Sequence, residues 1–209
     1  MYIENIREEG ITIMGLHIPL HAFPILETER LILRQLAVTD AQDYFRFMSD
    51  EENIHYYDPA PMTQIEQAEQ SIERHRRRFA QQEALRWGIT VKGENRVIGN
   101  GGYSFDADNH LAVLSYILSK SYWNKGIMTE ALSTIIQFGF EHILVHRMEA
   151  QVAYPNLASA RLLEKLGFQE EGRLRDRQLV NHQFVDERIF ALINPNNVDG
   201  HISLDSLDH

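Results

Sequence analysis

The 209-residue chain has no cysteine, which excludes disulfides, thiolate metal sites and a cysteine nucleophile. No apolar run is long enough to cross a bilayer, and the start lacks a basic stretch followed by an apolar core. We therefore expect a cytoplasmic protein with no membrane partner. Positive charge is in deficit: 20 Lys and Arg against 30 Asp and Glu leave a formal net charge of −10, the wrong sign for a general nucleic-acid binder. The one dense basic run, Arg74-His75-Arg76-Arg77-Arg78, lies inside a helical pattern and reads as a solvated helix face. Internal repeats and low-complexity segments are absent as well.

What is present fits one well-cored domain, with 44% hydrophobic and 24% charged residues. Residues 1–24 read as an N-terminal extension, 25–194 as the domain, and 195–209 as a loose acidic tail that opens on Pro195-Asn196-Asn197. Within the domain, Leu31–Leu36 reads as a strand, and Thr39-Asp40 offers a cap for a helix over Ala41–Ser49. Thr63 caps a second helix running to about Gln82, with Ile65, Ala68, Ile72 and Phe79 facing inward. Three strand signals follow, Leu85–Val91, Val97–Phe105 and Leu111–Ser119. The turn compositions Lys92–Asn95 and Asp106–Asn109 separate them and make an antiparallel meander. Met148–Ala153 reads as a strand, Asn156 caps a helix stopped by Gly167, and Phe168–Arg175 with Phe184–Ile193 forms a closing hairpin. The order implies a mixed α/β layout. The aromatic loop His55-Tyr56-Tyr57-Asp58-Pro59 serves binding or core packing equally well.

One junction stands out. Tyr122-Trp123-Asn124-Lys125-Gly126-Ile127-Met128-Thr129-Glu130-Ala131 runs from a loop straight into a helix whose Met128, Ala131, Leu132, Ile135, Ile136 and Gly139 recur at helical spacing. A helix start carries unpartnered N–H groups and partial positive charge, so such a loop suits a phosphate. Gly126 lets the backbone approach closely, Lys125 adds a cation, and Asn124 tolerates left-handed backbone angles. With one glycine it is neither a dinucleotide fingerprint nor a Walker loop. His142 and His146 lie four apart without an accompanying carboxylate motif, and no metal site is expected.

Four pieces in this order resemble the GCN5-related N-acetyltransferases (GNAT), and within them the RimJ/RimL-type ribosomal-protein-alanine acetyltransferases. They are Leu26–Arg34, with Glu27-Thr28-Glu29-Arg30; Tyr122–Ala131; Asn156–Phe168; and Glu171-Gly172-Arg173-Leu174-Arg175. The resemblance implies a GNAT fold: a mixed, mostly antiparallel sheet of six to seven strands with splayed central strands, flanked by about four helices. It implies acetyl-CoA as cosubstrate, acetyl transfer to a primary amine by direct attack, and acceptors that include a protein N-terminus. The family's phosphate loop falls on Trp123, Asn124, Lys125, Gly126, Ile127 and Met128, continuing to Thr129. Only Gly126 matches it strictly, and Met128 stands where a small residue is usual. The pantetheine arm pairs with the backbone of Tyr116-Ile117-Leu118, and an N–H at Ile117 faces the thioester oxygen. The family's usual tyrosine acid falls on Leu163, so that route is closed; the RimJ/RimL serine falls on Ser159, three residues after Asn156. Glu83, Asp106 and Glu52 are candidate bases. A CoA-binding sensor that has lost turnover is the alternative, and the oligomeric state, including a homodimer, stays open.

Overall fold

The computed structural model describes residues 20–56, 60–180 and 183–196, with two short strands at 12–13 and 16–17. Most of the N-terminal extension, the aromatic loop at 57–59 and the tail from 197 therefore lie outside the described residues. The two short strands, β1 (Thr12–Ile13) and β2 (Leu16–His17), pair only with each other. The main sheet uses β3 (Leu26–Glu27), β4 (Leu31–Gln35), β5 (Ala84–Val91), β6 (Val97–Asp106), β7 (Leu111–Leu118), β8 (Arg147–Ala153), β9 (Gln169–Val180) and β10 (Gln183–Ile193). Its order is β3-β4-β5-β6-β7-β8-β10-β9, eight strands where six to seven are expected, because the two-residue β3 extends one edge. Every pair is antiparallel except β7 with β8.

Four α-helices cover the faces: α1 (Ala41–Met48), α2 (Ile65–Ala80), α3 (Ile127–Glu141) and α4 (Leu157–Lys165). The core accordingly has two parts. Trp87, Tyr103, Leu114 and Leu118 pack with α3 and α4 residues such as Leu132, Phe138 and Leu163. Leu36, Val97 and Ile117 pack with Tyr44, Phe47, Ala68 and Ile72 of α1 and α2. Leu118 and Ile117 thus follow the period-two alternation of a strand buried on both faces. Trp87 anchors the centre, fully buried, with its Nε1–H donating to Pro24 O at 2.8 Å.

Helix starts differ in detail from the expected caps. Thr63 does not cap α2; Gln64 does, and the Gln67 carbonyl reaches back to accept the Thr63 and Gln64 N–H groups at 2.7 and 3.0 Å. Asp40 begins α1, but its carboxylate turns back to the Ala37 N–H at 2.8 Å and pairs with Arg34 at 2.7 Å. The Arg34–Asp40 pair ties β4 to the start of α1.

β7 and β8 matter most for the site. They pair over only four positions, Leu111↔Arg147 to Leu114↔Ala150, and beyond these both strands continue without meeting. The sheet is therefore open along one edge of Ser115–Leu118.

Candidate active site

The polarity of the opening follows from the ladder on its other side. Ser119 N–H donates to Ile98 O at 2.8 Å, and the β6–β7 register runs without a shift, so Ile117 opposite Asn100 also occupies a hydrogen-bonding position. The even-numbered residues of β7 therefore face the other way, and Leu118 O accepts the Trp123 Nε1–H at 2.7 Å rather than a group of β6. The amide expected at Ile117 is therefore turned toward β6. The groups that face the opening are the N–H and C=O of Tyr116 and the N–H of Leu118, one residue to either side.

At the end of the opening lies the loop into α3. Asn124 and Gly126 both adopt left-handed backbone angles, φ 57° and 74°, which swing the chain around so that α3 begins at the cleft. A Cβ on Gly126 would meet only Arg30 Nη2, at 3.5 Å, so the glycine serves conformation rather than crowding. The segment Thr28–Arg30 braces this loop. Arg30 donates to Lys125 O at 3.0 Å and to Glu130 Oε2 at 2.6 Å, and the Glu130 carboxylate also accepts from the Thr28 hydroxyl and the Arg30 N–H. Burial alone raises the Glu130 carboxyl, but these hydrogen bonds from Thr28 and Arg30, with the Arg30 charge, hold it below its ordinary range. The acidic residue in the first turn is thus neutralised where an anion would sit.

Across the opening, α4 begins at Asn156, whose side-chain oxygen accepts the Ser159 N–H at 3.1 Å. This fixes the Ser159 hydroxyl 2.6 Å from the Tyr116 hydroxyl. Burial pushes the Tyr116 phenol up to about 12, against the opposing Ser159 hydrogen bond, so it stays protonated at neutral pH.

A cavity of about 780 Å³ fills the opening. Ile117, Leu118, Trp123, Asn124, Gly126, Ile127, Met128, Thr129, Asn156 and Ser159 all line it; Lys125 does not, its ammonium donating to Ser121 O at 2.8 Å. Met128 is mostly buried in the core and contributes to the wall. Arg161 and Lys165, one turn apart on α4, add cations to the lining; their i, i+4 spacing after Asn156 was the available signal for them.

A second cavity of about 310 Å³ shares Tyr56, Tyr116, Asn156 and Ser159 with the first, and the Glu187 carboxyl faces into it from β10. The carboxylates suggested by sequence stand elsewhere or are engaged. Glu83 pairs with Arg78 at 3.3 Å, Asp106 holds the Asn109 turn, and Glu52, at the rim of the larger cavity, pairs with Lys120. Among the described residues no helix is long and apolar enough to cross a membrane.

An opened sheet edge that leads from a helix start to a pair of hydroxyls is a receptacle for a long carrier with a phosphate at one end and a reactive group at the other. Known proteins resemble the chain in sequence and in fold. Residues 30–169 match the acetyltransferase (GNAT) domain family. The uncharacterized N-acetyltransferase YoaA of Bacillus subtilis (strain 168) is 36% identical over 174 residues, 83% of this chain and 98% of that protein. The [ribosomal protein uS5]-alanine N-acetyltransferase of Escherichia coli (strain K12) is 29% identical over 185 residues, 81% and 91% of the two chains. Among solved structures, the RimL ribosomal L7/L12 α-N-protein acetyltransferase in complex with coenzyme A superposes with a TM-score of 0.76 at 18% identity, covering 81% of this chain and 98% of that one. The chain belongs to the GNAT acetyltransferase family, in its RimJ/RimL-like branch. It is an N-acetyltransferase whose acetyl donor is acetyl-CoA.

Proposed function

We propose that the enzyme acetylates a primary amine, foremost the N-terminal amine of a protein, by direct attack while amine and acetyl-CoA are bound together. The observation that carries this reading is the unclaimed backbone edge at Tyr116 and Leu118, which runs from the α3 start to the Tyr116–Ser159 hydroxyl pair. Acetyl-CoA supplies an activated acyl group on a thiol leaving group.

Each chain segment has a part. The N–H groups at the start of α3, in the loop Trp123–Thr129, hold the pyrophosphate, with Arg161 and Lys165 as lining cations. Lys125 stands outside the wall and contributes charge at a distance. The Leu118 N–H takes the pantetheine arm. The Tyr116 N–H, farther from the phosphate end, meets the thioester oxygen and stabilises the charge that develops there, a contribution of about 2.7–4 kcal/mol for such a donor. Ile117 contributes its side chain to the wall and its amide to β6. Ser159 presents its hydroxyl to the departing sulfur, and Tyr116, protonated, replenishes it. Asn156 positions Ser159.

An α-amine, with an ordinary pKa of about 7.7–8.0, surrenders its proton far more readily than a lysine near 10.4. That chemistry, together with the similarity to an acetyltransferase named for ribosomal protein uS5 alanine, favours the N-terminal acceptor. The domain at 25–194 carries all these groups; 1–24 and 195–209 flank it. Cell extract supplied with isotopically labelled acetyl-CoA and the enzyme is the test, read by mass spectrometry. Label on protein N-termini is the expected result; label confined to lysine side chains or metabolites would overturn the N-terminal reading.

A further inference from the structure

Two carboxylates adjacent in β10 have opposite surroundings. Asp186 is fully engaged: its oxygens accept the Asp176 N–H at 3.0 Å and the Arg173 guanidinium, and these contacts hold it below the ordinary carboxylate range. The engagement comes from an irregularity in β9. Val185 lies opposite Gln178 and Glu187 opposite Leu174, so the intervening segment with Asp176, at φ 49°, is pushed out and its N–H reaches Asp186. Glu187 is turned the other way. It is 8% exposed, lies between β8 and β9 opposite Ala153 and Leu174, and no hydrogen bond or salt bridge among the described residues holds its carboxylate.

A carboxylate mostly removed from water and without a partner among the described residues favours a cation that arrives in the cavity it lines. The cavity it faces contains no other acid or base except Tyr56 and Tyr116, and it joins the larger cavity at Tyr116 and Ser159. Burial raises the Glu187 carboxyl above its ordinary range, the Arg177 charge opposing, which brings it closer to the pH at which an ammonium must be deprotonated.

We propose that Glu187 takes the proton from the acceptor's ammonium, and that the 310 Å³ cavity it faces is the amine subsite. This rests on the amine-acetylation reading above. The step balances as follows. Glu187 removes one proton from the ammonium; the neutral nitrogen forms the C–N bond as the C–S bond breaks. The second nitrogen proton ends on sulfur by way of the Ser159–Tyr116 pair, and Glu187 returns its proton to water. The cavity is small, so an unbranched amine or an N-terminal residue with a small side chain fits it.

The test uses the full chain with acetyl-CoA and two acceptors, an alanine-initiated peptide and a simple alkylamine, comparing the wild type with Glu187→Gln and Glu187→Asp. We expect E187Q to lower kcat/KM for the amine at least about 100-fold, the lower end of the range for a general base. Acetyl-CoA affinity by calorimetry should stay within about twofold, since Glu187 lies outside the larger cavity. The acid limb of the wild-type profile, where activity falls as Glu187 protonates, should disappear in E187Q and reappear, with partial activity, in E187D. Unchanged kcat/KM and pH profile in E187Q would overturn the assignment, as would an equal loss of acetyl-CoA binding, which marks a structural role. If the wild type turns over neither acceptor, the N-terminal reading has failed separately. Calorimetry of the same amines on the CoA-loaded enzyme then decides: binding that E187Q abolishes supports the subsite, and binding that it leaves untouched overturns it.

Discussion

A serine hydroxyl is a weak acid by itself, so the proposed proton donor calls for a partner. Ser159 is held from behind by Asn156 and met from the front by a phenol that burial keeps protonated to about pH 12. Each hydroxyl is positioned by a different element, α4 and β7, and they meet at 2.6 Å across 43 residues of sequence. If the two act as one donor, Ser159→Ala lowers kcat about 10-fold or more, Tyr116→Phe lowers it comparably, and the double variant is scarcely worse than either. Steady-state rates with saturating acetyl-CoA measure this; fully additive losses would show that the hydroxyls act separately. Because the phenol keeps its proton, no basic limb from Tyr116 should enter the wild-type profile below about pH 10, well under its raised value.

The α3 start shows what elements contribute that single residues cannot. Its N-terminus is presented by two left-handed residues, and the resulting loop is clamped by Thr28–Arg30 from β4's leading turn. Arg30→Ala frees Lys125 O and removes the guanidinium from Glu130, leaving its carboxylate only the Thr28 hydroxyl and a backbone N–H, so the loop loses its brace and negative charge near the α3 start loses its counterion. KM for acetyl-CoA should rise about 5-fold, on the order of 1 kcal/mol for an exposed charged contact, with kcat unchanged. Initial-rate kinetics at varied acetyl-CoA measure it, and a fall in kcat at constant KM would contradict a purely anchoring role. Much of this element was legible in advance. Gly126, the Asn156 cap, the buried face of α3 and the turn compositions of the meander are local signals, carried by residues within a few positions of each other. The bracing by Arg30 was legible only as a motif, since its partners lie 95 and 100 residues away. Glu187 was not legible at all: its burial depends on strands on both sides and on an irregularity in β9 that no periodicity announces. The Ile117 amide, expected at the thioester, faces β6 for a related reason. Which amides of a strand face a neighbour alternates with register, and the register is fixed by β6, not by β7's own sequence.

Among the described residues the main sheet has two portions, β3–β7 and β8–β10, joined by four residue pairs at Leu111–Leu114 and held together beyond them by α3, α4 and the core. In the proposed pose acetyl-CoA lies along Ser115–Leu118 and completes the missing rung between the portions. A ligand that binds only the folded state at 100 times its Kd stabilises by about 2.7 kcal/mol. At roughly 2–4 °C per kcal/mol for a chain of this size, Tm should rise by about 5–11 °C. The backbone should register the same event with single-residue resolution. In the free enzyme the Ile117 amide is already bonded to β6, while those of Tyr116 and Leu118 face the opening. Amide hydrogen exchange followed by NMR should therefore show Ile117 slow with and without acetyl-CoA, and Tyr116 and Leu118 slowing selectively when it binds. Slowing at Ile117 alone would return the thioester contact to that residue; protection rising evenly along β7 would mean that the ligand stabilises the sheet without pairing to its edge.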